Sequence, residues 1–311
     1  MNCLIIDEMY PGIDILLKEI GITPDYLPDI TRSEIIDIIA QYEGLIVRSK
    51  IQVDVELLQK AAKLKFIARA GAGIDNIDEV ECKKRGITIL NAPEANRDAV
   101  GEQTIGMLLT LFNRINLADQ QVRRGIWERE GNRGYEIQGK TVGIIGFGNM
   151  GKAFAKRLQG FDCTITAYDK YRTGFGDELV KEVTLSELFE RTDILSLHVP
   201  LTHETNRMID LQFLEKFNKN IVLLNAARGK VVVLNDLIKA LDSGKVTAAA
   251  LDVLENEKID KLNEAEQQDF SNLIKRDNVL FTPHIAGWSF ESYEKINHVL
   301  VKKIAHFVGE L

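Results

Sequence analysis

"TVGIIGFGNMGKAF", residues 141–154, decides the fold. Val142 to Ile145 is a short apolar run of the kind that forms a buried strand, and Lys152 to Leu158 has a helical pattern. Between them Gly146, Gly148 and Gly151 stand in the G-x-G-x-x-G spacing. A lone match would say little, but a strand before it and a helix after it give the spacing a mechanism. Gly146 allows the tight turn, Gly148 lets the backbone approach a pyrophosphate, and Gly151 lets helix and strand pack closely. The helix start at Asn149 and Met150 then faces the phosphates with free N–H groups and a positive dipole end. About twenty residues on, "CTITAYD" ends in Asp169, placed to accept hydrogen bonds from the adenosine ribose. A carboxylate there repels a 2′-phosphate, so NAD is favoured over NADP; Lys170 and Arg172 nearby soften that choice.

Working outward, the same rhythm recurs. "NCLIID", "GLIVRS", "LKFIARA" and "GITIL" read as strands in the first ninety residues, with helices near 12–20, 32–41, 54–62 and 77–85. From about Asn96 to Arg124 runs one long helical pattern with Ile105, Leu108, Leu109 and Phe112 on one face. A polar, Gly-rich stretch, "RRGIWEREGNRGYEIQGK", follows. Strands then return: "TVGIIGFG", "CTITAYD", "DILSLHV", "NIVLLNA", "TAAALDV" and "NVLFTP". Alternating strand and helix implies parallel sheets covered on both faces. The expected class is α/β, with two doubly wound domains flanking a cleft. A flavodoxin-like substrate domain covers 1–95 and is completed by 284–311, and a Rossmann cofactor domain covers 96–283.

The 311 residues carry a formal net charge of -7, which disfavours nucleic acid as the main partner. No apolar run reaches the roughly 18 residues of a membrane span. "MNCLIIDEMY" shows no export signal, so the expected location is the cytoplasm. Cys3, Cys82 and Cys163 have no metal-ligand spacing and read as small thiols in a reducing compartment.

In parallel sheets, ligands bind beyond the carboxyl ends of the strands. Those ends carry His198, Val199 and Pro200; Asn225 to Gly229; Asp252 followed by Glu255 and Glu257; and Pro283 with His284. Arg228, Glu257 and His284 together suit hydride transfer at a hydroxyl carbon. A cation holds a carboxylate and polarises the carbonyl, an imidazole moves the hydroxyl proton, and an acid orients the imidazole. Taken singly, Arg228 is as readily a surface ion pair, while Glu257 and His284 are more readily a solvated acid and a turn or core histidine; their joint placement at successive strand ends is what favours the catalytic reading.

Here the chain resembles the D-isomer-specific 2-hydroxyacid dehydrogenases, most closely their phosphoglycerate dehydrogenase branch. The resemblance rests on "RAGAGIDNID" (69–78), "NAPEANRDAVGEQTIGMLL" (91–109), "GFGNMG" (146–151), "NAARG" (225–229), "ALDVLENE" (250–257) and "TPHIAG" (282–287). It implies catalytic roles for Arg228, Glu257 and His284. It also implies cofactor contacts from Ala226, Ala227, Asp252 (to the nicotinamide amide), Thr205, Gly287 and the His198–Val199–Pro200 turn. On the substrate side, Gly71 and Gly73 would leave backbone N–H groups open to a carboxylate as an anion nest, with Ala70 beside them also facing the substrate. Arg48 and Arg69, at strand ends, would meet the distal end of the substrate. Two cations suit a phosphate, so the expected reaction joins D-3-phosphoglycerate and 3-phosphohydroxypyruvate. The rivals are a hydroxypyruvate or glyoxylate reductase, a D-lactate-type enzyme, an NAD-linked formate dehydrogenase and a non-enzymatic NAD-sensing regulator. The resemblance implies a homodimer through the long 98–119 helix, with ordinary core as the alternative for its apolar face. Two departures stand out: Lys258 replaces the family's usual Pro after the catalytic acid, and the acidic segment 256–277 is longer than usual, which leaves the orientation of Glu257 open. With Leu311 ending the chain, no C-terminal regulatory domain and no serine feedback are expected.

Overall fold

The computed structural model describes residues 1–309, which form two compact units. The first comprises Met1–Arg97 and the stretch from Trp288 onward; the second is Asp98–Gly287.

The first unit holds β1 (Asn2–Ile5), β2 (Thr23–Tyr26), β3 (Gly44–Val47), β4 (Phe66–Arg69) and β5 (Thr88–Asn91). They form a parallel sheet in the order β2-β1-β3-β4-β5, the doubly wound order of flavodoxin-like domains. Alternate residues along each strand face opposite layers. Leu4, Leu45, Val47 and Ile67 pack with Ile35, Ile39, Leu57 and Leu58 on one side. Cys3, Ile5, Ile46 and Phe66 pack with Leu17, Ile296, Leu300 and Ile304 on the other, which is how the closing helix Phe290–Gly309 joins this unit. Strand β2, "TPDY", escapes the sequence pattern because it is polar, mostly exposed and contains Pro24. A proline is tolerated there because the strand is an edge.

The second unit holds β6 (Thr141–Ile145), β7 (Thr164–Tyr168), β8 (Lys181–Glu182), β9 (Ile194–Leu197), β10 (Ile221–Asn225), β11 (Val246–Leu251) and β12 (Val279–Phe281). Their parallel order is β12-β11-β10-β9-β6-β7-β8, a Rossmann arrangement whose order reverses between β6 and β9. Strand β8, two residues at the sheet edge, is too short to leave a sequence pattern.

The long helical pattern of 96–124 is not one helix. It divides into Pro93–Phe112 and Ile115–Arg123, with Arg114 at φ 50 between them. The Phe112 carbonyl accepts the Tyr135 N–H and the Asn113 amide turns back to the Leu109 carbonyl, so the helix ends there. The face expected to dimerise is core: Leu108 and Phe112 are buried against Val142, Ile144 and Phe154. Exposed apolar side chains lie further on, at Ile115, Val122, Ile126 and Trp127. The chain also returns to the first unit at Trp288 rather than 284. The N–H groups of His284, Ile285 and Ala286 all bond Asp252, which holds this stretch to the second unit.

Cys3 and Cys82 are buried and Cys163 half-buried; burial raises all three thiols, Cys82 to about 11. Among the described residues no helix is long and apolar enough to cross a membrane.

Candidate active site

The glycine turn is dictated by chain-to-chain contact at two positions. Gly146 has φ +92, and a Cβ there would lie 2.5 Å from the His198 carbonyl oxygen. A Cβ on Gly151 would lie 2.2 Å from the Gly146 oxygen, so the helix Asn149–Arg157 can start only if this residue is glycine. Gly148 differs: a Cβ there would meet nothing within 4 Å. It is the N-cap of that helix, and no side chain caps it. The first N–H groups of the helix, from Asn149 onward, therefore have no side-chain acceptor, and open space lies above Gly148. That is the geometry a pyrophosphate needs. Gly148→Ala is expected to leave the urea midpoint unchanged while weakening NADH binding by roughly tenfold, read by fluorescence titration.

Asp169 serves this turn structurally as well. One carboxylate oxygen accepts the Phe147 N–H at 2.8 Å; the other accepts the N–H groups of Tyr171 and Arg172. It ties the end of β7 to the glycine turn. Lys170 is engaged by Glu204 at 2.7 Å, so it offers less to a 2′-phosphate than its sequence position suggests.

His198 follows β9, the strand beside the switch point. Its Nε2 lies 2.8 Å from the hydroxyl of fully buried Ser196, its Nδ1 is buried without a partner, and its ring lies 5.3 Å from Phe154. With both nitrogens enclosed, burial pushes the ring from 6.5 down to about 3. The neutral form is the folded one, so its contribution to stability is complete above pH 6.5 and falls away as pH drops toward 3. His198→Asn should flatten the fall of the urea midpoint between about pH 6.5 and 4. Next in the chain, Val199 flanks Gly146, and the Pro200 carbonyl accepts the Thr205 hydroxyl at 2.6 Å. The same hydroxyl accepts the Thr202 N–H, so Thr205 closes this loop on itself.

Strands β10, β11 and β12 are neighbours, and the three candidate catalytic residues follow them in turn. After β10, Asn225 is 1% exposed and clamps the turn: its oxygen accepts the Ala227 N–H, and its amide donates to the Arg228 carbonyl. Ala226 is half-buried and Ala227 buried. Half-buried Arg228 donates to the Ala227 carbonyl at 2.7 Å. After β11, Asp252 is 1% exposed. It accepts from the Thr282 hydroxyl at 2.5 Å and from the N–H groups of Ile285 and Ala286. These bonds fix the position of the carboxylate and shape the turn from His284 to Ala286.

That turn places His284 at φ 54, in the left-handed region that side chains other than glycine rarely adopt. Its Nδ1 lies 2.9 Å from the Glu257 carboxylate. With Nδ1–H donating, Nε2 is the acceptor, and it has no partner among the described residues. Glu255 plays a different part: it accepts the Leu234 N–H and pairs with Arg207. The question over Glu257 is answered by the insertion itself. Asn256 donates to Glu266 at 3.0 Å and accepts the Lys258 N–H at 3.0 Å, and Glu266 is anchored in the capping box of the helix Glu264–Leu273. The acidic segment thus braces the loop that carries Glu257. Asn225 is legible as a polar residue directly after a buried strand, whereas the parts played by Asn256 and Thr282 leave no sequence signal.

In the first unit, Arg48 and Arg69 stand at the ends of β3 and β4. Of the nest expected at Gly71 and Gly73, the Gly71 N–H is not open, and neither is that of Ala70. The Ala70 N–H bonds the Val47 carbonyl and the Gly71 N–H bonds the Arg69 carbonyl. Arg69 also lies across Gly71, its Nη1 1.7 Å from where a Cβ would stand. The N–H groups of Ala72 and Gly73, one turn on, donate to no backbone carbonyl among the described residues, so any nest lies there.

The sequence model described as "D-isomer specific 2-hydroxyacid dehydrogenase, NAD binding domain" matches residues 105–286. The chain belongs to that family, and NAD is its cofactor. It is 37% identical to a D-3-phosphoglycerate dehydrogenase of Archaeoglobus fulgidus, over 96% of this chain but 56% of that protein. It is also 37% identical to a hydroxypyruvate reductase of Thermotoga maritima, over 94% of this chain and 92% of that protein. A D-lactate dehydrogenase of Aquifex aeolicus, solved with NAD and lactic acid, superimposes with a TM-score of 0.83 at 28% identity, covering 100% of this chain and 96% of that one.

Proposed function

We propose that the protein oxidises D-3-phosphoglycerate to 3-phosphohydroxypyruvate with NAD, and catalyses the reverse reduction. The observation that carries the chemistry is the imidazole of His284, held by Glu257 at 2.9 Å with Nε2 left to meet a substrate. In oxidation Nε2 accepts the hydroxyl proton; in reduction it returns that proton to the 2-oxygen. Bound NAD supplies the hydride acceptor. Arg228 forks onto the substrate carboxylate and polarises the 2-oxygen. Glu257 fixes the ring's orientation and stabilises the charge the ring gains. Arg48 and Arg69 bind the distal phosphate. This reading places the reaction in serine synthesis, in the cytoplasm.

A second substrate reading, hydroxypyruvate or glyoxylate reduction, is favoured by the Thermotoga relative, which is matched over nearly its whole length. The test follows NADH absorbance with D-3-phosphoglycerate and 3-phosphohydroxypyruvate against hydroxypyruvate, glyoxylate and pyruvate. A higher kcat/KM for the phosphorylated pair supports the proposal. A preference for hydroxypyruvate or glyoxylate replaces it with the second reading, and no turnover of any of them leaves the regulator.

A homodimer is part of the same proposal, with the contact moved to the exposed residues Ile115, Val122, Ile126 and Trp127. Sedimentation showing a monomer at micromolar concentration would reject it.

A further inference from the structure

Arg48 is held in an unusual way. Its backbone N–H donates to the buried carboxylate of Asp7 at 2.7 Å, which fixes where the side chain leaves the end of β3. The guanidinium carbon then lies 4.9 Å from the centre of the Trp288 ring and 5.9 Å from that of Tyr293. The two rings are 5.1 Å apart and tilted by 45°. Tyr10 meets Tyr293 edge-on at 5.9 Å and backs the assembly. Ser289 and Ser292 cap each other reciprocally at the start of the closing helix, which sets the direction of Trp288. Among the described residues no carboxylate lies within ion-pair distance of the Arg48 guanidinium, whereas Arg32, Arg85, Arg123, Arg133, Arg157 and Arg276 each hold one.

A cation held by aromatic faces keeps its charge and its N–H edge available, because the rings supply attraction without neutralising it. A carboxylate partner would do the opposite. The rings also limit the guanidinium's rotation, so less freedom is lost when it forks onto an anion. Trp288 remains 52% exposed, leaving the assembly open to solvent on one side.

We infer that Trp288, with Tyr293, is a specificity-determining residue: it positions Arg48 to bind an anionic group at the end of the substrate distant from the reacting carbon. The inference rests on the proposed function for the identity of that group, a phosphate, and adds the residues that select it. Trp288 acts through Arg48, and its removal therefore weakens recognition of the distal anion without touching hydride transfer.

The test compares the wild type with Trp288→Leu, Trp288→Phe and Arg48→Ala. Trp288→Leu should raise KM for 3-phosphohydroxypyruvate by roughly 3- to 30-fold, the range a cation–π contact spans. Its kcat, and its KM for hydroxypyruvate and NADH, should stay within about twofold. Trp288→Phe, which keeps an aromatic face, should recover most of the loss. An equal rise in KM for hydroxypyruvate, or no rise for either substrate, overturns the inference.

A second measurement needs no turnover. Titrating the wild type with D-3-phosphoglycerate, and separately with inorganic phosphate, should change tryptophan fluorescence; the change should vanish in Trp288→Phe and in Arg48→Ala. If the wild type prefers hydroxypyruvate as substrate yet shows this fluorescence response, the phosphoglycerate reading fails and the anion site stands. If neither anion alters the fluorescence at millimolar concentration, the anion site fails, whatever the substrate proves to be.

Discussion

Replacing His284 by Gln is expected to lower turnover by about 10²–10⁴ in both directions, while the dissociation constant for NADH stays nearly unchanged. In the proposed reaction the proton carried by the 2-hydroxyl goes to a base within hydrogen-bond reach, and that base is Nε2 of His284, whose ring is oriented by the bond from Nδ1 to Glu257. A glutamine amide can still hydrogen-bond but does not accept the proton near neutral pH. The backbone supplies an internal control. His284 sits at φ 54, where Asn is tolerated better than most residues. His284→Asn should therefore fold as the wild type does and lose as much turnover as His284→Gln. A loss below tenfold in both variants would remove His284 from proton transfer. A loss in Gln alone would point to backbone strain as the cause.

Gly229→Ala is expected to destabilise the fold by about 3 kcal/mol or more, read as a fall in the urea midpoint, and to lose most activity in whatever remains folded. A Cβ on Gly229 would stand 1.8 Å from the Leu254 carbonyl oxygen and 2.7 Å from the Glu255 nitrogen. Both are backbone atoms, so no side chain can swing away to make room. The chain must move on one side or the other. One side carries Arg228. The other carries Glu255, whose bonds to Leu234 and Arg207 anchor the segment leading to Glu257. Gly106, inside the helix Pro93–Phe112, is the contrasting position: a Cβ there meets nothing within 4 Å. Gly106→Ala should be neutral or stabilising by up to about 1 kcal/mol. If Gly229→Ala matched it, the close approach of the two loops would not be a constraint.

These two positions show how unevenly the site is written in the chain. Gly229 and His284 both lie in short motifs after apolar runs, so their importance is legible in order along the sequence. The reason for it is not. Nothing local says that Gly229 presses on Leu254, or that Asp252 fixes the turn carrying His284. The acidic insertion carries the same lesson: it reads as a departure that loosens Glu257, yet through Asn256 and Glu266 it holds the loop.

Local pattern determined the α/β class and the two doubly wound sheets, and it picked out the glycine turn and the strand ends that carry Arg228, Glu257 and His284. It could do so because burial period, glycine geometry and strand-end placement are properties of neighbouring residues. It failed at Pro-containing β2 and two-residue β8, where edge strands need no apolar alternation, and at Phe112–Arg114, where a distant N–H from Tyr135 ends a helix whose periodicity continues. Only the tertiary structure decided that Ala70 and Gly71 use their N–H groups internally and that Arg48 lies against Trp288 and Tyr293. Apart from the local Gly71–Arg69 bond, such pairings join segments far apart in the chain, and their distances exist only once the sheets and the closing helix have packed.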